Sequence, residues 1–224
     1  MRTNTALALL ALAVIMLVGC KQPIGMPGGS VHAASSIAFT CTVDSNQTMS
    51  GSDVWYHPSP YGPPGDTYFR ENPYITWLLH KDRWGRPQPH TNGFCIFHVP
   101  HMNYFPAQSC CSLYYYQKEH SVTGFARLVV TVTPNSTNLR DSVNWWNEWN
   151  GDSIGTDQAT YDEGWHAIPL TDEAKYDIFY IAYQPAGGYF STGWITRDTA
   201  QYIFATAYGA TSATPPYIRV FSLP

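Results

Sequence analysis

The densest grouping of residues able to do chemistry is Asn144-Trp145-Trp146-Asn147-Glu148-Trp149-Asn150, in which three indoles alternate with amides and one carboxylate. Sugars have apolar C–H faces and polar rims, so a protein that holds them needs flat aromatic platforms beside amide and carboxylate hydrogen-bonding groups. In an extended segment Trp145, Asn147 and Trp149 point one way and Trp146, Glu148 and Asn150 the other. At least one indole is then turned outward, and Trp146 leads as the platform, with Asn144, Asn147, Glu148 and Trp149 as candidate sugar contacts. Packing of Trp145 and Trp149 in the core is the competing reading. A second aromatic group, Trp55, Tyr56, Tyr61, Tyr68 and Tyr74, is threaded through Pro-rich sequence and offers a neighbouring wall, against the alternative that it packs beneath loops. In Tyr114-Tyr115-Tyr116, alternation places Tyr115 inside with Leu113 and leaves Tyr114 and Tyr116 as an exposed stripe, free for a ligand or a partner subunit.

Catalytic and metal chemistries are weaker in this sequence. Gly151-Asp152-Ser153-Ile154-Gly155 matches G-x-S-x-G, but a nucleophile elbow needs a parallel strand before the serine and a helix after it. The polar residues on either side favour a turn instead. A glycosidase requires two carboxylates facing each other across a cleft, and nothing selects a pair among Glu148, Asp152, Asp162 and Glu163. The expectation is therefore a protein that is not an enzyme. Asp152, Asp157 and Asp162 with nearby carbonyls offer an oxygen cage for Ca²⁺, though the D-x-[DN]-x-[DN]-G loop pattern is missing and solvated turn acids explain them as well. No other cofactor is expected. Cys95, His98, His101 and Cys110 are a mixed nitrogen and sulfur set, but they lack tight zinc-knuckle spacing and Pro100 bars a helical arrangement.

The N-terminus points to export. Met1-Arg2 is followed by an apolar run over residues 6–18, the length of a signal peptide's hydrophobic region rather than of a membrane span. Leu17-Val18-Gly19-Cys20 resembles the lipobox of bacterial lipoproteins, which implies removal of residues 1–19 and lipid attachment at Cys20. More than one acyl chain, at about 0.8 kcal/mol per buried CH₂, makes such an anchor stable. The resemblance thus implies an extracytoplasmic protein tethered to the outer membrane or cell surface. Residues 20–35, rich in Gly, Pro and small side chains, read as a flexible tether, and residues 36–224 as one domain. Cys41, Cys95, Cys110 and Cys111 form an even set in an exported chain, so two disulfides are expected. Of three pairings, a vicinal Cys110–Cys111 ring is strained, which favours distant partners for each.

Composition narrows the classes further. The chain has 224 residues, 44% hydrophobic but only 12% charged, where ordinary soluble domains carry roughly 25% charged residues. Disorder and coiled coil fit poorly. With 12 Lys+Arg against 16 Asp+Glu, an electrostatic nucleic-acid binder is excluded as well. The 16 Tyr, 10 Phe and 8 Trp, together with 17 Gly and 17 Pro, favour strands and turns over helices. Ile37, Phe39, Cys41 and Val43 share one face of an extended segment. Further strands are expected at 54–57, 74–79, 94–99, 111–117, 125–133, 143–149, 165–170, 177–183, 201–207 and 217–222. Only residues 171–176 suggest a helical turn, with Thr171 as its cap. Residues 58–88 read as long Pro- and Tyr-rich loops around one strand.

Three stretches resemble the disaggregatase-related (DNRLRE) domains, β-jelly-roll modules of secreted and cell-surface proteins associated with carbohydrate binding. They are FCIFHVPHMNYFPAQSCCSLYYYQ at 94–117, GWHAIPLT at 164–171 and PPYIRVFS at 215–222. Cys110 and Cys111 depart from the family's small and apolar residues, and His98 from its acidic strand end. Residues and resemblance together predict an all-β protein, an antiparallel β-sandwich (jelly roll) with at most one short helix. The expected function is noncatalytic binding of a polysaccharide or cell-envelope glycan. The alternative is a structural or assembly protein that self-associates through aromatic contacts.

Overall fold

In a computed structural model the described residues are 36–43, 50–55, 67–71, 74–81, 87–106, 108–123, 127–132, 151–158, 163–196 and 202–222. The signal segment, Cys20 and the tether lie outside them. The described residues form a mostly antiparallel β-structure with one short helix. The strands are β1 (Ser36–Thr42), β2 (Ser50–Trp55), β3 (Thr67–Glu71), β4 (Tyr74–Lys81), β5 (Pro87–Val99) and β6 (Ser109–Thr123). They continue with β7 (Arg127–Val132), β8 (Ser153–Gln158), β9 (Gly164–Pro169), β10 (Gly188–Thr196), β11 (Tyr202–Tyr208) and β12 (Tyr217–Ser222).

Two long strands organise the sheet. In β6, Ser112 pairs with both Arg219 and Pro169, and Gln117 with both Ala207 and Gly164. β12 and β11 therefore follow one another along one edge of β6, while β9 covers the opposite edge. In β5, Cys95 pairs with Ser50 and Thr192, and Thr91 with Val54 and Leu78. That places β4 and β10 in succession on one edge and β2 on the other. Thr42 pairs with both Tyr217 and His98, so β1 links β12 to β5 and the sheet curls into a half-barrel. Curling of this kind gives the sheet an inner face that can close on a core and an outer face that cannot.

The inner face is apolar because strand alternation delivers it: Phe39, Cys41, Phe97, Leu113, Tyr115, Ile218 and Val220 are all buried. Trp194 is fully buried, its indole N–H donating to Thr192 Oγ1 at 3.0 Å. The helix, α1 (Asp172–Ala182), closes the core, burying Ala174, Ile178 and Ala182 at spacings of four. Thr171 caps it by accepting from the Ala174 N–H at 3.3 Å, and Asp172 and Glu173 in the first turn complement the helix dipole. Gly187 follows with φ of +68°, where a Cβ would meet the Val99 carbonyl oxygen at 2.2 Å. Only glycine fits that return into β10.

Several expectations change here. Thr171 does begin a helix, but it runs through Ala182, so residues 177–183 are not a strand. The burial of Ile178 and Ala182 overrides the local β-preference of Ile, Phe and Tyr. β3, β8 and β10 were not expected. The strand proposed at 143–149 lies outside the described residues.

Candidate functional site

The feature that stands out is the outer face of β6 and its neighbours. Alternation turns Tyr114, Tyr116 and Lys118 outward while Leu113, Tyr115 and Gln117 point into the protein. Register then lines up aromatic partners across strands. Tyr114 faces Tyr217, with rings stacked 5.0 Å apart at 16°. Tyr116 faces Trp165 in an edge contact at 5.7 Å, and Trp165 reaches Tyr217 at 5.5 Å. Tyr116 also meets Tyr208 at 5.5 Å, and Tyr208 its register partner Tyr74 at 5.7 Å. The result is one continuous band of aromatic rings across β12, β6, β9, β11 and β4. Each such pair contributes about 0.5–1.5 kcal/mol beyond its area burial, yet the band is not covered: Trp165 remains 49% exposed and the tyrosines half-buried.

Cations stand at both ends. The Arg219 guanidinium lies 4.6 Å from the Tyr217 ring centroid and 5.6 Å from that of Tyr114. Lys118 Nζ sits 4.2 Å over Tyr74, a cation–π contact of the usual kind. Burial first, then the neighbouring Tyr217, pushes the Tyr114 hydroxyl above its ordinary pKa, with Arg219 opposing. It is therefore a neutral donor under ordinary conditions.

Behind this face lies a polar knot. Asp157 Oδ2 accepts from the Tyr115 hydroxyl at 2.9 Å and contacts His166 Nδ1 at 3.0 Å. The His166 ring stacks on Tyr115 at 5.0 Å, and Tyr115 meets Trp194 edge-on at 5.2 Å. Burial, followed by the Asp157 charge and hydrogen bond, holds the Tyr115 hydroxyl well above its normal pKa. The knot joins β6, β8 and β9 from within and is architecture, since the side chains of Tyr115 and His166 turn away from solvent.

The sequence matches no protein-family model and none of the curated proteins. What can be said of a site thus comes from geometry.

The expected site residues fare unevenly. Asn144, Trp146, Asn147, Glu148, Trp149, Tyr56 and Asp162 lie outside the described residues, as do Trp145 and Tyr61. Trp55 ends β2, where its backbone pairs with His90. Tyr74 does join an aromatic surface, and Tyr114 and Tyr116 are turned outward. Trp165, Tyr208, Tyr217 and Arg219 were missed as site residues. Alternation in 165–170 and 217–222 marked Trp165, Tyr217 and Arg219 as strand residues, and Tyr208 lies one residue past the strand expected at 201–207, but only long-range pairing brings the four together.

Of the residues expected to form a Ca²⁺ cage, Asp152 and Asp157 are among the described ones. They lie five residues apart along extended chain, about 16 Å, and Asp157 is engaged by Tyr115 and His166. Asp152 instead lines a shallow cleft with Ser153, Thr171, Glu173 and Asp177. Among the described residues, no group of three or more His, Cys, Asp or Glu side chains is placed to hold a metal. His101 has Nδ1 on the Gln184 carbonyl at 2.7 Å and Nε2 on Asn103 at 2.9 Å, apart from the fully buried Cys95. The G-x-S-x-G segment is not a turn either. Ser153 starts β8, antiparallel to β7, and Gly155 is needed because a Cβ there would meet Ile168 Cγ2 at 2.6 Å.

The disulfide expectation is corrected as well. No two of Cys41, Cys95, Cys110 and Cys111 stand at disulfide distance from one another. Cys41, Cys95 and Cys111 are buried on strands whose hydrogen-bonded register fixes them apart, and Cys110, their half-buried neighbour, points to the other face of β6 from Cys111. Burial pushes the Cys41 thiol far above its ordinary pKa, with a smaller effect from Cys111, and burial does the same to Cys95.

Proposed function

We propose that the protein is a noncatalytic glycan-binding module whose binding surface is the aromatic band on the outer face of β6, β9, β11 and β12. One observation carries this reading: six aromatic rings form a continuous, partly open platform with hydrogen-bonding hydroxyls along it. Sugar C–H faces stack on such rings, and their hydroxyls bond to Tyr O–H, Trp N–H and guanidinium groups. The platform spans several strands, which suits a polymer better than a single sugar. We further propose, from the lipobox resemblance, that Cys20 tethers the module by lipid outside the cytoplasm. The jelly-roll arrangement implied by the DNRLRE resemblance belongs to the same proposal, as does a supporting role for the segment around Trp146.

A glycan-array screen of the wild-type protein beside Trp165→Ala and Tyr217→Ala tests the reading. Binding to one polysaccharide class that falls at least about tenfold in both variants supports it. Binding undiminished in both overturns the site.

A second reading is assembly. Tyr176 and Tyr180 project from α1, and Tyr183 from its C-cap, at 65%, 73% and 68% exposure, with Tyr104 at 74%. Exposed aromatics at helical spacing suit a subunit contact. Concentration-dependent oligomers in sedimentation, insensitive to added sugars and lost in Tyr180→Ala, would favour it.

A further inference from the structure

We infer that the polymer held on this face is acidic, its carboxylate or sulfate groups bound by Arg219 while neighbouring sugar rings stack on Tyr217 and Trp165. The inference rests on the glycan-binding reading and adds the substrate class to it.

Two independent observations lead there. The first is unsatisfied polarity. Three buried side-chain polar atoms among the described residues have no hydrogen-bond partner: Arg219 Nε, Thr206 Oγ1 and Ser191 Oγ. Two of the three lie on the aromatic face. Arg219 shares the outward side of β12 with Tyr217, and Thr206 shares that of β11 with Tyr208, each two residues from its aromatic neighbour. Thr206 is only 5% exposed, so water does not readily satisfy it. An orphaned buried donor is costly, and more so when it is charged. A ligand that supplies the missing acceptors would recover this. An oxyanion at the guanidinium edge does so once a small rotation of the side chain uncovers Nε, accepting from it and from the adjacent terminal nitrogen in the bidentate geometry that arginine favours.

The second observation is charge. The outward positions of β12 are Tyr217, Arg219 and Phe221, and those of β9 are Trp165, Ala167 and Pro169. On β6, from Cys110 to Lys118, they are Cys, Ser, Tyr, Tyr and Lys. None of these is a carboxylate, while Glu119 stands opposite Thr206 in register, toward the β11 end of the face. Among the described residues Arg219 has tyrosine rings as neighbours on this face rather than a counter-ion. At the far end Lys118 adds a second positive charge, with Glu163 just ahead of β9. Arg219 stands opposite Ser112 in register, six residues from Lys118 along β6, so their backbone positions are about 20 Å apart. A polymer with its acidic group at Arg219 lays the neighbouring rings on Trp165 and Tyr116. An uncharged polysaccharide would gain the stacking but leave the guanidinium unanswered.

Affinity electrophoresis of the full-length protein in native gels tests this, with polygalacturonate or chondroitin sulfate as acidic probes and galactomannan or hydroxyethyl cellulose as neutral ones. The expected result is retardation by an acidic polymer with a dissociation constant at least about tenfold below that for any neutral one. Added salt weakens the acidic interaction, and Arg219→Gln abolishes the preference for acidic over neutral polymers. Arg219→Lys keeps the charge but loses the fork, and should fall between. Circular dichroism checks that each variant is folded. Equal retardation by acidic and neutral polymers, unchanged in Arg219→Gln, would overturn the acidic specificity while leaving glycan binding intact. Retardation by no polymer, with folded protein, would overturn both.

Discussion

Tyr115→Phe isolates the polar knot beneath the binding face. Phenylalanine keeps the ring that stacks on His166 and meets Trp194 but removes the hydroxyl that donates to Asp157 at 2.9 Å. A hydrogen bond to a charged acceptor contributes about 1.5–3 kcal/mol, so the variant should lose that much stability near neutral pH. The same hydroxyl also makes stability depend on pH. Its folded pKa lies well above the unfolded value of about 10, because burial and then Asp157 disfavour the phenolate. Below pH 10 both states are protonated and the hydrogen bond's stabilisation is fully present. Above it the unfolded chain releases a proton that the folded chain keeps, so stability falls as pH rises toward the folded pKa. The limiting slope is about 1.4 kcal/mol per pH unit for this one group. Urea unfolding of wild type and Tyr115→Phe at several pH values from 7 to 11 measures both effects. The wild-type advantage should be constant to about pH 10 and then shrink, as the variant lacks this titration. Equal stability at pH 7 together with parallel alkaline profiles would refute the hydrogen bond and its linkage.

Other outcomes follow from packing and thiol burial. Ile178→Ala should cost about 2–5 kcal/mol by hollowing the contact of α1 with the sheet, while Tyr176→Ala on the exposed side should stay within about 0.5 kcal/mol; thermal melts distinguish them. Gly187→Ala should destabilise by at least about 2 kcal/mol, through its positive φ and the 2.2 Å approach to the Val99 carbonyl, as chemical denaturation would show. Brief alkylation of native protein should modify half-buried Cys110 before Cys41, Cys95 and Cys111, as read by peptide mass spectrometry, and a disulfide between any two of these four would contradict their separation in the sheet.

What the sequence made legible was local. Alternation through Leu113, Tyr114, Tyr115 and Tyr116 fixed which rings face in and which face out, because strand geometry gives that with no knowledge of partners. The β1 and β12 strands were readable for the same reason. β10 was not, although it holds the fully buried Trp194: Gly188, Ser191, Thr192 and Gly193 carry turn-like chemistry that pairing on both edges overrides. The helix was half legible. Thr171 with two acids behind it marked the start, while the run Ile178, Phe179, Tyr180 and Ile181 favoured a strand until Ala174, Ile178 and Ala182 were seen buried together. The aromatic band itself was out of reach. Trp165 meets Tyr116 across 49 residues of sequence and Tyr217 meets Tyr114 across more than a hundred, and the register that unites them is a property of the folded sheet. The disulfide expectation failed because a cysteine count carries no distance.

The central claim, that a glycan lies on the outer aromatic band, is most directly tested by the ¹⁵N indole spectrum of the protein titrated with the polysaccharide it binds. The Trp165 signal, assigned through its disappearance in Trp165→Phe, should shift with saturation. That of Trp194, fully buried and bonded to Thr192 at 3.0 Å, should stay in place. A Trp165 signal unmoved at saturating polysaccharide would contradict the account.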